Sequence, residues 1–248
     1  MKTLIAGVLF ALSAALIATP AAFAAGPKAD LEHVKIDLHD KGSLQRGAKY
    51  FINYCMTCHS TKFSRYNRVA LDLGLTEDQV LENFVFTRDK GEKTKIGSLM
   101  TNAIPAEDSE RWFGVAPPDL SLTARSRGAD WIYSFLKGFY KDDSPSRTTG
   151  VNNTVLAGTA MPHVLWELQG WQSMEENDGK KTLSLAEQGS ATPEEYDQIV
   201  TDITNHLVYV GEPAKLHRTS IGWWVLIFLA LFGVLAYMLK KEYWKDVH

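Results

Sequence analysis

Five consecutive residues could do chemistry together: Cys55-Met56-Thr57-Cys58-His59. Cys-x-x-Cys-His is the attachment pattern of a c-type haem. Two thiols three residues apart lie on one helical face, where each can form a thioether to a haem vinyl group. His59 falls one turn beyond Cys55 and can present an imidazole nitrogen to the iron. A Cys-x-x-Cys redox pair and half of a zinc site are the competing readings. A zinc site usually needs a second Cys/His pair at matching spacing, and both of the chain's 2 cysteines lie in this motif. A thioredoxin-like pair does not require the trailing histidine and sits in a βαβ pattern that this sequence lacks. The residues therefore predict one covalently bound haem c.

A haem iron has a sixth position, and its occupant sets the chemistry. Methionine raises the potential, histidine lowers it, and an open position permits ligand chemistry. Between the two apolar ends of the chain the methionines are Met56, Met100, Met161 and Met174. Met56 lies between the cysteines and points away from the iron. Met161 sits in Gly158-Thr159-Ala160-Met161-Pro162, a small-residue loop stiffened by proline that can approach a flat macrocycle closely. It also lies far downstream of the motif, just before the last helix of the domain, where monohaem cytochromes place this ligand. Met100 is the alternative, and His163 and His206 are more remote ones, read as solvated or bonded to backbone. Arg125 is a further candidate, because a guanidinium can bind a haem propionate bidentately. On spacing alone it also reads as an ordinary surface arginine.

Helices must position these groups. Ser43 reads as the cap of a helix in which Leu44, Ala48, Phe51, Ile52 and Cys55 recur on one face. Thr76-Glu77-Asp78-Gln79 is a capping box followed by Val80, Leu81, Phe84 and Val85. Residues 91–114 and 141–158 read as loops, and Pro117-Pro118-Asp119-Leu120 as an extended turn. Trp131, Ile132, Phe135, Leu136 and Phe139 form one apolar stripe, with Gly138 permitting close packing. Thr192, Pro193 and Glu195 open the last helix of the domain, whose core face is Tyr196, Ile199, Val200, Ile203 and Leu207. Gly211 and Pro213 end it. No strand pattern competes, so the expected fold is mostly α with long loops.

The two ends are of different kinds. Residues 1–24 read as a cleaved signal peptide: Lys2, an apolar run, then Ala22-Phe23-Ala24. Residues 221–239 carry no charge, and 19 residues at helical rise span roughly 28 Å, close to a bilayer's hydrocarbon thickness. Trp223 and Trp224 lie near one end, Tyr237, Tyr243 and Trp244 near the other, as interfacial anchors should. The expected organisation is signal peptide 1–24, exported haem domain 25–217, transmembrane helix 218–240 and cytoplasmic tail 241–248. An exported domain fixes the orientation, with Lys240, Lys241 and Lys245 left inside. A net charge of -3 gives no argument for nucleic-acid binding.

Several runs converge on one family. Leu44-Gln45-Arg46-Gly47 leads into the Cys-x-x-Cys-His-Ser run; Ala116-Pro117-Pro118-Asp119-Leu120-Ser121, Ala160-Met161-Pro162 and Gly211-Glu212-Pro213 follow before one C-terminal anchor. Together they resemble the cytochrome c1 family, the haem-carrying subunits of cytochrome bc1 complexes, in a bacterial form. The resemblance implies a class I cytochrome c-like domain with long loop insertions and one C-terminal transmembrane helix. Cys55 and Cys58 would hold the haem, His59 and Met161 would ligate the iron, and Arg125 would bind a propionate. Two departures fall in the haem pocket. Trp131 stands where the family often has a tyrosine near a propionate, and Val151-Asn152-Asn153 replaces the family's Tyr-Asn-Pro-type approach to the methionine.

The function implied is electron transfer without bond chemistry of its own: from a Rieske iron–sulfur protein, through the haem, to a c-type cytochrome. The haem domain would lie in the periplasm of a bacterial inner membrane, beside a cytochrome b subunit. Gly222 and Gly233 are candidate close contacts in the anchor. Acidic runs at 107–110 and 175–178 could steer a basic partner, or simply be solvated loops. A stand-alone tethered shuttle feeding a terminal oxidase is the alternative, one without need of the Pro-Pro-Asp-Leu-Ser run for docking. A haem sensor with an open iron position is a third.

Overall fold

The computed structural model describes residues 30–246 except residues 90, 178 and 179. The expected signal peptide, residues 1–24, lies outside the described residues. About half of the described residues are helical, and one C-terminal helix is long and apolar enough to cross a membrane.

Helix α1 (Lys41–Tyr50) runs without a break into a π-helical turn, Phe51–Cys55. Asp40, not Ser43, caps α1: its carboxylate accepts from the Ser43 N–H. Ser43 is instead buried, and its hydroxyl donates to Asp202 at 2.7 Å. The predicted stripe is the buried face: Leu44, Ala48, Phe51, Ile52 and Cys55 are all in the core. Helix α8 (Pro193–Gly211) crosses α1 in the largest helix–helix contact of the molecule. Its start is the predicted capping box, with Thr192 accepting from the Glu195 N–H and Glu195 accepting from the Thr192 N–H.

Between these two helices lie β1 (Thr61–Arg65), α2 (Tyr66–Leu73) and α3 (Glu77–Asn83), the last opened by the Thr76 and Gln79 capping box. The short strands β2 (Arg88–Asp89), β3 (Glu92–Lys93) and β4 (Leu99–Met100) follow, then α4 (Ala106–Phe113). Helices α5 (Thr123–Arg127) and α6 (Ala129–Lys137) come next, then β5 (Phe139–Lys141), β6 (Val151–Asn153) and α7 (Trp166–Gln169). Strands β7 (Gly170–Asn177) and β8 (Lys180–Gln188) precede α8.

Three sequence expectations are corrected here. Residues 91–114 are not all loop, because α4 forms there. Residues 67–95, which from sequence read as a long stretch with one credible helix at the Thr76 capping box, carry a second helix, α2. Strands do exist: among the described residues four antiparallel ladders pair β1 with β4, β2 with β3, β5 with β6, and β7 with β8. Three are short ladders of two or three paired residues. Those of β1 with β4 and β5 with β6 are set by partners ten or more residues away, such as Thr61 opposite Met100, which no local periodicity announces, while β2 with β3 is a local two-residue pairing. The fourth had a local signal. Asp178-Gly179 is a dipeptide favoured in two-residue hairpin connections, and Asn177 pairs with Lys180 across it.

The leading segment straps the domain together. Val34 N–H donates to Asp130, Asp37 N–H donates to Asn205 of α8, and Lys137 pairs with Glu32 and Asp197. Beyond Glu212 the chain enters α9 (Lys215–Tyr243), 29 residues long, so the helix extends past both ends of the uncharged run. From Ile221 onwards its large apolar side chains are exposed. That is the pattern of a segment whose solvent is lipid rather than water.

Candidate haem site

The π-turn ends on the haem motif. Met56 N–H donates to the Phe51 carbonyl at 2.9 Å, and the Cys55 carbonyl then accepts from Cys58 N–H at 3.1 Å and His59 N–H at 2.8 Å. One carbonyl thus folds the motif into a single turn and gathers Cys55, Cys58 and His59. Both thiols are free, Cys55 buried and Cys58 half-buried. Burial pushes the Cys55 thiol up to about 12 and raises that of Cys58. A redox or zinc-binding cysteine needs a thiolate stabilised by its surroundings, and these surroundings do the opposite. Among the described residues no cluster of His, Cys, Asp and Glu could complete a metal cage.

His59 is 8% exposed, and its Nδ1 lies 2.7 Å from the Pro118 carbonyl oxygen. A carbonyl can only accept, so Nδ1 carries the proton and Nε2 keeps its lone pair. That is the tautomer an iron ligand requires, fixed in the usual way by a second partner on the far nitrogen. Burial also holds the imidazole below its ordinary pKa, which favours the neutral form. The residues present therefore fit a haem c: two neutral thiols and one imidazole with a fixed lone pair.

The Pro-Pro-Asp-Leu-Ser run is a clasp on this segment. Besides the Pro118–His59 bond, Leu120 N–H donates to the Ser60 carbonyl at 2.8 Å. The Asp119 carboxylate accepts from Lys62 N–H, and the Ser121 hydroxyl accepts from Phe63 N–H. Asn102 closes the other side, donating to the Cys58 carbonyl and exchanging hydrogen bonds with Ser60. Sequence reasoning singled out the motif for its turn and missed its partners. Nothing in the local sequence marks Asn102.

The methionines separate clearly. Met56 is buried and its sulfur accepts from Tyr66 at 3.7 Å, so it is engaged away from the haem turn. Met100 is 1% exposed in the core, paired opposite Thr61. Met174 lies on β7. Met161 is half-buried against the core in the loop between β6 and α7. Asn152 holds the start of that loop: its Oδ1 accepts from Gly158 N–H at 2.8 Å, and its amide donates to Asp142.

Of the histidines, neither outlying candidate is solvated. His163 is buried against Phe139 and Trp171. His206 is fully buried beside Phe51 and Tyr209, with no hydrogen-bond partner on either nitrogen. For His206 the expectation of a solvated or backbone-bonded ring is corrected, since the ring serves packing. His163 is not solvated, but its ring does meet the Gly170 backbone.

Arg125 lies on α5, which packs on α8. Its Nη1 pairs with Glu212 at 3.2 Å, and Arg218 at the start of α9 pairs with the other oxygen of the same carboxylate. Its side chain is 57% exposed. Trp131 stacks flat on Phe135 at 5.0 Å, under the Arg127 guanidinium.

A crossed pair of helices enclosing a Cys-x-x-Cys-His turn, carried on one membrane-length helix, defines a membrane-anchored domain of the c-type haem class. The model of the cytochrome C1 family matches residues 32–247. A cytochrome c1 of Allochromatium vinosum is 50% identical over 241 residues, covering 94% of this chain and 96% of that protein. A protein of Nitrosomonas europaea named ammonia monooxygenase gamma subunit is 47% identical, covering 96% and 98%. A chain of a hyperthermophilic respiratory complex III covers both chains fully at 18% identity with a TM-score of 0.46. This chain belongs to the cytochrome c1 family, whose cofactor is haem c, and it is a single-pass membrane protein.

Proposed function

We propose that the chain is the electron-transfer subunit of a cytochrome bc1 complex, holding one haem c by thioethers from Cys55 and Cys58, with His59 and Met161 as iron ligands. The observation that carries the site is the 2.7 Å bond from His59 Nδ1 to Pro118, which leaves Nε2 for the metal. Haem c, when bound, supplies one-electron chemistry. The residues do the rest. The clasp of Pro118 to Ser121 fixes the imidazole, the apolar faces of α1 and α8 exclude water, and a Met161 thioether favours the reduced state. Arg125 has donors beyond those facing Glu212 and serves a propionate.

The partners on this reading are cytochrome b, a Rieske iron–sulfur protein as electron donor and a c-type cytochrome as acceptor. The domain of residues 25–217 lies in the periplasm, delivered by the signal peptide 1–24, and α9 holds it in the inner membrane. The Pro-Pro-Asp-Leu-Ser run is spent on the clasp inside the domain, so its presence no longer speaks against a stand-alone shuttle. Membership of the family does.

Mild-detergent purification of the tagged full chain tests this. The expected result is covalent haem c recovered with b haem, a Rieske centre and quinol-dependent reduction of cytochrome c. Recovery of haem c alone, or together with a monooxygenase in place of b haem, would overturn it.

A further inference from the structure

His163 is the one aromatic residue of loop 154–165, and its ring is held on two sides. It stacks on Phe139 with centroids 5.0 Å apart and planes 7° from parallel, and meets the Trp171 ring at 5.8 Å and 80°. The stack continues in both directions. Phe139 meets Phe135 edge-on at 5.2 Å, Phe135 lies flat on Trp131, and Trp171 lies flat on Trp166 at 5.7 Å. Rings from α6, β5, α7 and β7 thus form one column, and the loop enters it only through His163.

One residue, Pro162, separates His163 from Met161, and its ring fixes φ there. On the other side the loop is tied at Gly158, whose N–H donates to Asn152, and at Thr159, whose N–H donates to the Leu156 carbonyl. Met161 therefore sits on a short span between two anchors, one a hydrogen bond and one a ring. A thioether is a weak ligand. Its hold on a metal falls with the fraction of time the loop presents it correctly, so restraint of the loop converts directly into ligation.

We infer that His163 is the positioning residue for the Met161 ligand, acting through its ring and not through its nitrogens. This rests on the reading of Met161 as iron ligand. The ring's polar contacts are confined to the neighbouring Gly170 backbone and Gln169 side chain, with His163 Nε2 and Gln169 Oε1 left without a well-formed hydrogen bond, so they do not tie it to the loop that carries Met161. Face-to-face and edge-to-face aromatic contacts, by contrast, specify geometry beyond the area they bury. A phenylalanine fits the same flat slot without the orphan nitrogen.

The experiment uses the haem-loaded full-length protein in detergent and compares His163→Ala, His163→Gln, His163→Phe and Met161→Leu. Three properties are read: the sulfur-to-iron charge-transfer band of the ferric haem, the midpoint potential, and carbon monoxide binding to the ferrous haem. Loss of the ring in the Ala and Gln variants weakens the band, lowers the potential and admits carbon monoxide, while His163→Phe keeps all three properties at wild type. Met161→Leu abolishes the band outright. Wild-type band and potential in the Ala and Gln variants, with the band lost in Met161→Leu, would overturn the positioning role and leave the ligand standing. A Phe variant as impaired as Ala would overturn the role of the ring. An unchanged band in Met161→Leu would sink the ligand reading and this inference with it. If the ring-less histidine variants fail to accumulate, Trp171→Leu removes one face of the slot. A lowered potential there supports the inference, and a wild-type one refutes it.

Discussion

Gly47 on α1 lies directly against the carbonyl of Asp202 on α8: a Cβ at Gly47 would overlap that oxygen and come within 2.9 Å of the His206 Cβ. The two helices touch backbone to backbone at this point, and the haem turn begins eight residues further along. The crossing is locked by Asp202, which is almost fully buried and accepts from Arg46 through Nε at 2.6 Å and Nη2 at 3.0 Å, and also from Ser43 and Gln198. A close-packed crossing cannot absorb even one methyl group without moving a helix. Gly47→Ala is therefore expected to destabilise the domain by about 2–3 kcal/mol, read as a lower midpoint in urea unfolding followed by the Soret band.

The clasp gives a second expectation. Asp119 accepts from Lys62 N–H through one oxygen and from Ser121 N–H through the other, each at 2.9 Å. Losing both bonds in Asp119→Ala should cost about 1–3 kcal/mol and loosen the Pro118 carbonyl from His59. Asp119→Asn keeps one acceptor and should fall between. Urea unfolding of the haem-loaded protein ranks the three, and an Ala variant as stable as wild type would contradict the clasp.

Arg125 and Glu212 make opposite electrostatic predictions. A guanidinium near a propionate disfavours the more positive ferric state, so Arg125→Ala should lower the midpoint potential. Glu212→Gln removes the negative partner and should raise it. Both side chains meet solvent, Arg125 at 57% exposure, so screening keeps the shifts small. They should be on the order of tens of millivolts, below the ~60 mV of a tenfold change in a one-electron equilibrium. Redox titration of the two variants checks the signs. Two shifts in the same direction would remove Arg125 from the propionate.

What the sequence discloses follows from how local each cause is. The Thr192 cap, Pro193 and Glu195 act within one turn, and so do Thr76 and Gln79; both helix starts are read correctly from three or four residues. The stripe from Leu44 to Cys55 is equally local, and the motif carries its own chemistry. The cap of α1 is misread because Ser43 is claimed by Asp202, 159 positions away. Pro118 is visible as a turn residue, but its carbonyl's partner is 59 positions upstream. Strands β1 and β4 exist only as a pair. The acidic run at 175–178, read as a solvated loop, begins on β7 instead, and there the Asp-Gly signal was available in the sequence. Arg125 is the opposite case. Family likeness marks the position, whereas the pairing with Glu212 depends on how α5 packs on the end of α8.

His206 supplies a prediction in pH. Its ring is wholly buried between α1 and α8, both nitrogens lack partners, and burial pushes its pKa down to about 3. Unfolded, the same imidazole titrates near its ordinary value of about 6.5. The folded state thus binds the proton less well than the unfolded state, and its stability falls as pH drops below about 6.5, until the folded value near 3 is reached. Each pH unit in that window is worth about 1.4 kcal/mol, so between pH 7 and pH 5 this ring alone should remove about 2 kcal/mol. His206→Phe places an apolar ring beside Phe51 and Tyr209 and has no proton to bind. The difference in unfolding free energy between variant and wild type should accordingly widen by that amount from pH 7 to pH 5. Urea titrations at the two values measure it; a difference that stays constant would mean that His206 titrates in the native protein as it does unfolded, and a change of opposite sign that it is already protonated there.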